Sequence, residues 1–299
     1  MLLAFAFTEE RASFGPAFAI HSLTGSSFHE GRNDPCADRI MSIMTTSIET
    51  IDHGPVRELR MSRPPANALS PELIAELGDA VMRAPHEGVR ALVLSGVPGK
   101  FSGGLDIPLL IDFDRPKILT VWKLFYRLML EIAASPIPIV AAITGHSPAG
   151  GAVLSIFCDY RVMAEGDYRI GLNEVQVGLP LPTAILRAFI HLVGPRQAER
   201  LSVSGQLITS AEALRIGFVD ELVPLDQVVP RAVEWCQGLL ALPPRAMATT
   251  RRQARAELVR IVEEGVEGET EPLVQDWFSE ETQSTMRALA ERLTSRRKG

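Results

Sequence analysis

The chain has 299 residues, 46% of them apolar and 22% charged, with a formal net charge of −6. That suffices for one large domain, or one domain plus an appendage, and the negative balance leaves no electrostatic footprint for nucleic acid. The three cysteines, Cys36, Cys158 and Cys236, stand far apart with no CxxC and no Cys/His cluster, which argues against a disulfide framework or structural zinc and fits a reducing compartment.

Residues 1–50 begin Met-Leu-Leu-Ala-Phe-Ala-Phe, but Glu9, Glu10 and Arg11 interrupt the apolar stretch at once. A secretory signal wants a basic start and a longer apolar run, and a transit peptide should be poor in acids. The Ser, Gly, Asn, Asp and Pro mixture from Ser22 to Asp38 reads as disordered. Met41 and Met44 are internal alternatives, and a mis-set start is the reading favoured for this extension.

Regular patterning begins near Val56. Val56–Met61 reads as a half-buried strand, and the prolines of Arg63-Pro-Pro-Ala-Asn67 force a turn. Ser70-Pro71 supplies an N-cap and a first-turn proline, followed by Leu73, Ile74, Leu77 and Val81 at helical spacing. Ala91–Ser95 is a strand, Lys117–Ala133 a helix with Trp122, Phe125, Leu128, Met129 and Ile132 on its apolar side, and Ile139–Ile143 a buried strand. Short strands follow at Arg161–Ala164 and Tyr168–Gly171, so strand and helix alternate as in an α/β unit. From Thr183 the chain is mostly helical. Thr209 and Glu212 have capping-box spacing with Gly217 at a C-cap, and two long helical patterns run over Ala246–Glu264 and Pro272–Leu293. No apolar run reaches membrane-spanning length.

Two glycine-bearing turns, Phe101-Ser-Gly-Gly-Leu-Asp106 and Pro148-Ala-Gly-Gly151, carry the chemistry, with Glu174 downstream in a mostly apolar stretch. Glycine lets backbone approach a ligand closely, and the second turn opens a helical stretch whose free N–H groups suit a developing negative oxygen. Two amides aimed at one oxygen and a nearby carboxylate point to enolate chemistry. Taken singly, the turns could be tight corners and Glu174 a surface carboxylate. His146-Ser147 lacks a nucleophile elbow and reads as a satisfied turn or core histidine, and the histidines have no metal-ligand spacing. Gly96–Lys100 lacks the spacing of a phosphate loop.

Together with Arg63–Leu69, Cys158-Asp-Tyr-Arg161 and Gly171-Leu-Asn-Glu-Val-Gln-Val-Gly178, these turns resemble the crotonase superfamily, the enoyl-CoA hydratase/isomerase group, from about Val56 to Leu293. The branch most similar is the mitochondrial-type Δ3,Δ2-enoyl-CoA isomerase, on Pro-Ala-Gly-Gly, Cys-Asp-Tyr-Arg and Gly-Leu-Asn-Glu. The resemblance implies an α/β fold: a spiral of ββα turns over 51–238, a helical trimerisation region over 239–299, and residues 1–50 as an extension. It implies an oxyanion hole from the main-chain N–H groups of Leu105 and Gly150, and Glu174 as general acid/base. Ile170, Leu172, Val175 and Val177 should desolvate that carboxyl.

Hydratases of the family carry a second glutamate where this chain has Val153, so the resemblance favours isomerisation of 3-enoyl-CoA over hydration. The alternatives are hydration, thioester cleavage, or acyl-CoA binding without catalysis. The acyl-CoA is expected to meet Ala66, Ala68, Gly103, Gly104, Asp106 and Ile107, with Asp106 also fixing the first turn. Asn173 either orients Glu174 or satisfies local backbone. Arg251, Arg252, Arg255 and Arg296-Arg-Lys298 are the cations available for the CoA phosphates. No metal and no cofactor beyond the substrate's CoA are expected. The expected assembly is a homotrimer or dimer of trimers, and the location cytoplasmic, or the mitochondrial matrix if the source is eukaryotic and the extension a transit peptide.

Overall fold

Ala91–Ser95 and Ile139–Ile143 are buried at every position, so the sheet they form must be covered on both faces. The computed structural model describes residues 46–296 and shows how. The expectations for residues 1–45 and for Arg297-Lys298 lie outside the described residues. The strands are β1 (Ile48–His53), β2 (Val56–Met61), β3 (Ala91–Ser95), β4 (Gly99–Lys100), β5 (Ile139–Ile143), β6 (Gly145–Pro148), β7 (Tyr160–Ala164), β8 (Arg169–Gly171), β9 (Ile208–Thr209) and β10 (Glu221–Val223). The helices are α1 (Pro71–Arg83), α2 (Ile107–Leu110), α3 (Arg115–Ala134), α4 (Gly150–Ile156), α5 (Thr183–Val193), α6 (Pro195–Ser204), α7 (Ser210–Arg215), α8 (Val228–Leu240), α9 (Pro244–Gly268), α10 (Thr270–Trp277) and α11 (Glu280–Arg296).

A six-stranded sheet runs β1-β2-β3-β5-β7-β10, parallel except for the β1/β2 pair, beside a four-stranded sheet β4-β6-β8-β9. Each circuit of the chain lays one long strand in the first sheet and a short one in the second before crossing back. Leu92 pairs with Ile139 and Val140 with Tyr160, while Gly99 pairs with Gly145 and Ser147 with Ile170. This is the expected ββα spiral. Strand alternation sends Ala91, Val93, Val140 and Ala142 to one face against α8, and Leu92, Leu94, Ala141 and Ile143 to the larger core that includes α1 and α3. The short sheet brings backbone against backbone: a Cβ on Gly145 would lie 1.9 Å from the Gly99 carbonyl carbon.

Most expected elements stand where their local signals put them. Ser70 Oγ accepts from Leu73 N at 3.3 Å, and Thr209 Oγ1 from Glu212 N at 3.1 Å. The reciprocal half of the Thr209 capping box does not form, because the Glu212 carboxylate turns to Arg215 and Arg200. Two expectations change. Strand β1 precedes Val56 and crosses the boundary at residue 50; of its residues only Ile48 is buried, so it has little apolar pattern to read. The helix expected over Pro272–Leu293 is two, because Ser279 Oγ accepts from Thr282 N and starts α11 afresh.

The C-terminal helices are tied to the spiral by buried polar groups. Arg251 Nε and Nη2 meet the Asp159 carboxylate at 2.7 and 2.8 Å, and Arg255 Nη1 reaches it at 3.2 Å. Asp159 also accepts from Ile139 N at 2.8 Å, at the start of β5. Glu269, just past the end of α9, accepts from Tyr126 Oη at 2.7 Å and from Ala184 N at 2.9 Å, joining α3 to α5. Cys158 and Cys236 are free and buried, with burial pushing each thiol up to about 12. Asp159→Asn would leave two enclosed guanidiniums against a neutral amide. We expect it to cost about 3–5 kcal/mol of stability, read as a lowered urea midpoint at unchanged m-value.

Candidate active site

The loop Arg63–Leu69 and the first glycine turn are laced together. Asn67, buried and at φ +50°, accepts from Arg63 N at 2.9 Å and donates Nδ2 to Phe101 O at 3.0 Å. Ser102 Oγ donates to Asn67 O at 2.8 Å and accepts from Gly104 N at 3.2 Å. Gly103 N donates to Ala66 O, Asp106 N to Leu69 O and Ile107 N to Leu105 O. Of the five consecutive amides from Gly103 to Ile107, only that of Leu105 has no acceptor among the described residues. Gly103 and Gly104, expected at the substrate, therefore spend their N–H groups on the turn and leave their neighbour's free.

The second turn arrives from β6. Ala149 is held at φ +46°, ψ −122°, a conformation that costs a residue with a Cβ roughly 1–3 kcal/mol. Its N–H donates to Gly171 O at 2.8 Å, fixing this turn to the strand that leads to Glu174. The Gly150 N–H, at the first position of α4, has no acceptor among the described residues. The turns touch: a Cβ built on Gly104 would lie 3.1 Å from Gly150 N, and one on Gly150 would lie 3.5 Å from Leu105 N and 2.8 Å from Leu69 Cδ1. A side chain at Gly150 would fill the gap between the two amides. Both unpaired nitrogens thus lie at one spot, the proximity an oxyanion hole would require.

That spot is in the wall of an apolar cavity of about 260 Å³. Gly103, Leu105, Ile107 and Gly150 line it together with Trp122, Phe125 and Ile185, and Leu289 and Leu293 of α11 join the lining from the far end of the sequence. Glu174 is the one carboxylate among its lining residues, on the single 3₁₀ turn Glu174–Val177. Its Oε2 is shielded from solvent and has no hydrogen-bond partner among the described residues, although the residue as a whole is only half-buried. Burial pushes its pKa up to about 7, against a small opposing pull from its own backbone N–H. Ile170 and Leu172 are buried as expected, and Val177 lines the cavity. Val175 instead points outward at 39% exposure, so aromatic and aliphatic residues from α3, α5 and α11 supply the apolar surroundings. The 3₁₀ turn is locked by Thr282 Oγ1 of α11, which donates to Gly178 O at 2.6 Å. Asn173 Oδ1 lies enclosed in the same cavity, bonded to neither Glu174 nor local backbone, contrary to both roles expected for it. Val153 is sealed inside α4 at 1% exposure.

A second, more polar cleft of about 620 Å³ shares Gly103, Leu105, Pro148 and Leu293 with the first. Ala66, Ala68 and Asp106 line it, as expected for the far part of a bound thioester. Asp106 is ion-paired with Arg63 Nη1 at 2.7 Å, and Arg63 also donates to Ala68 O at 3.0 Å, so this carboxylate braces the loop. The cation at the cleft is Lys100, whose Nζ donates to Pro65 O at 2.8 Å. His146 lies at its rim, exposed, with Nδ1 accepting from Arg169 N at 3.2 Å. Arg251 and Arg255, considered for the CoA phosphates, are instead consumed by Asp159 and by backbone carbonyls, and Arg252 is exposed on α9 outside the cleft lining. Leu289 and Leu293 are not legible as site residues, since only the tertiary fold brings them to the turns; Arg63 and Lys100 adjoin the loop and the first turn in sequence, but nothing there marks their partners, Asp106 and Pro65 O.

Comparison with known proteins identifies the family. The enoyl-CoA hydratase/isomerase family model matches residues 52–298. Mouse "Enoyl-CoA delta isomerase 1, mitochondrial" is 36% identical over 70% of this chain and 73% of its own length. A Mycobacterium tuberculosis protein described as "Probable enoyl-CoA hydratase EchA17" is 31% identical over 64% of this chain and 74% of its own. The crystal structure of human mitochondrial delta3-delta2-enoyl-CoA isomerase superposes with a TM-score of 0.79 at 30% identity, covering 84% of this chain and 99% of that one. With its ββα spiral and C-terminal helices in place, the chain belongs to the enoyl-CoA hydratase/isomerase family, the crotonase fold.

Proposed function

We propose that the protein is a Δ3,Δ2-enoyl-CoA isomerase acting in fatty-acyl-CoA oxidation. The observation that carries this reading is a single carboxylate, Glu174, lining an apolar cavity beside two unpaired amides. The Glu174 carboxylate takes a proton from C2 of a 3-enoyl thioester. The C–H electron pair moves into the C1–C2 bond, and the thioester oxygen takes the charge, held by Leu105 N–H and Gly150 N–H. When the dienolate collapses, its electrons shift so that C4 accepts the proton back from Glu174 and the double bond rests between C2 and C3. Each donor supports about 3–4 kcal/mol of transition-state stabilisation. A carboxyl poised near neutral pH suits a proton that must be both taken and returned. The thioester is its own electron sink, so the step draws on no further cofactor.

Hydration, the activity in the names of some relatives, needs a water held between two groups. Val153 offers no acceptor, and Asn173 Oδ1 is the one observation that favours a weak version of it. The same reading carries assembly as a homotrimer or dimer of trimers through the C-terminal helices, in the cytoplasm or the mitochondrial matrix. Mass in solution tests the assembly.

Purified protein should convert 3-enoyl-CoA to trans-2-enoyl-CoA across some range of chain lengths. Glu174→Gln should lower kcat by roughly 10²–10⁴-fold, and a variant that keeps substantial activity removes this residue as the base. With trans-2-enoyl-CoA as substrate, product analysis should find hydration at least about 10²-fold slower than isomerisation.

The raised pKa makes two further outcomes measurable. Activity should climb with pH through a midpoint near about 7, where the carboxylate forms. Between a glutamate's ordinary value of 4.5 and about 7 the folded protein binds a proton that the unfolded chain does not, so stability falls as pH rises across that window. Glu174→Gln removes this cost. It should be more stable than the unsubstituted protein at about pH 8, by on the order of 1–3 kcal/mol, with the difference gone at low pH; denaturant midpoints against pH check the sign.

A further inference from the structure

Helix α4 begins with the residue whose N–H forms half of the proposed oxyanion hole, yet little in its own sequence holds it in place. It has seven residues, far fewer than a helix needs to stand by itself, and it starts with Gly150 and Gly151, the weakest helix formers after proline. Ala149 gives it no side-chain N-cap. Its C-cap, Phe157, is right-handed at φ −86°, with no glycine turn to collect the last carbonyls. Its apolar residues hold it laterally, being buried throughout.

Its C-terminal end is held instead by two guanidiniums. Arg161 Nη1 donates to Cys158 O at 3.1 Å and Ser155 O at 3.4 Å, with Nη2 on Asp220 at 2.8 Å. Arg255, from α9, donates Nη2 to Phe157 O and Nη1 to Cys158 O at 3.4 Å. The Nε of Arg255 donates to Ala133 O at 3.0 Å, at the C-terminal end of α3, the helix that puts Trp122 and Phe125 into the cavity. One side chain from the C-terminal region therefore grips the back of both helices that wall the site. Desolvation lowers the Arg255 pKa, so its charge is kept in this seam against a cost.

We infer that Arg255 is a positioning residue for the reaction, fixing α4 along its axis so that Gly150 N–H meets the thioester oxygen. The inference rests on the oxyanion-hole reading above. Arg255 touches neither cavity of the site, and Asp159 keeps its two bonds to Arg251 when Arg255 is removed, so a substitution strands no carboxylate. A separate cavity of about 230 Å³, lined by Arg255, Arg161 and His191, lies beside the side chain and gives a small cation a way in.

The test has three readouts on Arg255→Met, Arg255→Lys and Arg255→Gly. Steady-state kinetics should show kcat down roughly 10- to 100-fold in the Met variant with KM within about threefold, since a small displacement of a reacting group far from the mutation has that effect. The ¹³C shift of a labelled thioester carbonyl in a bound saturated acyl-CoA reports polarisation by the hole without turnover, and should move back toward the free value. Millimolar guanidinium added to Arg255→Gly should restore kcat and the carbonyl shift saturably, where sodium chloride at equal ionic strength does not. Arg255→Lys, able to reach only some of the carbonyls, should fall between, and it serves if the other variants do not fold.

Folded variants with unchanged kcat and carbonyl shift, or guanidinium that restores thermal stability alone, would overturn the inference. A carbonyl that is not displaced even in the unsubstituted protein overturns the hole, and this inference with it. One displaced equally in protein and variants overturns the inference alone.

Discussion

Two backbone N–H groups, of Leu105 and Gly150, are kept without acceptors on the wall of one cavity, and much of the surrounding structure exists to keep them so. An enclosed N–H left unpaired costs about 1–3 kcal/mol, and a relaxed chain would turn to satisfy it. Here the neighbouring amides and the loop are already committed elsewhere. Ser102, Ala66 and Leu69 hold the other amides of the first turn, and Gly171 holds Ala149 in its strained conformation. The Asn67 network fixes the loop that supplies those acceptors. Preorganisation has a concrete meaning for the proposed hole: its free energy is spent in folding, and none would be spent reorienting it during the reaction.

The carboxylate obeys the opposite rule. Glu174 Oε2 also lacks a partner, but the group responds by holding its proton more tightly rather than by finding a donor. Trp122, Phe125, Ile185 and Leu289 line the same cavity with hydrocarbon contributed by three separate helices. The same apolar wall that would accept an acyl chain therefore tunes the proposed base, so that changing one property changes the other. Enlarging the pocket admits water and lowers the pKa; filling it excludes substrate.

Local signals made most of the spiral legible. Ser70 and Thr209 cap helices because a hydroxyl bonds an amide a few residues on, and the glycine turns could be read because their geometry demands glycine. What could not be read depends on distant partners. Strand β1 buries little and is defined by pairing with β2. An arginine on an amphipathic helix looks the same whether it faces water or reaches into a seam, so Arg251 and Arg255 gave no sign of their carbonyl partners. Leu289 and Leu293 carry ordinary helical spacing, and only the return of α11 across the Glu174 turn puts them over the cavity. Glu174 itself was legible by its place in a family motif; its environment was only half legible, since Val175 faces out and the wall comes from elsewhere.

These long-range parts are joined in a particular way. The spiral supplies each group of the proposed site from a different circuit: the first amide after β4, the second after β6, the carboxylate after β8. Short parallel pairs between these strands set the spacing, because backbone bonds from Gly99 N to Thr144 O, from Phe101 N to His146 O and from Ala149 N to Gly171 O leave little freedom for one circuit to slip past the next. Those pairs fix where each turn begins but not how the helix after it is seated. Seating falls to the C-terminal helices, through Arg255 behind α4 and α3, Glu269 between α3 and α5, and Thr282 on the Glu174 turn. The sheets thus bring the groups of the proposed site together, while helices distant in sequence aim them and enclose the cavity. A truncation before α9 would keep both amides and the carboxylate and lose the fixed relation among them on which the proposed enolate stabilisation depends.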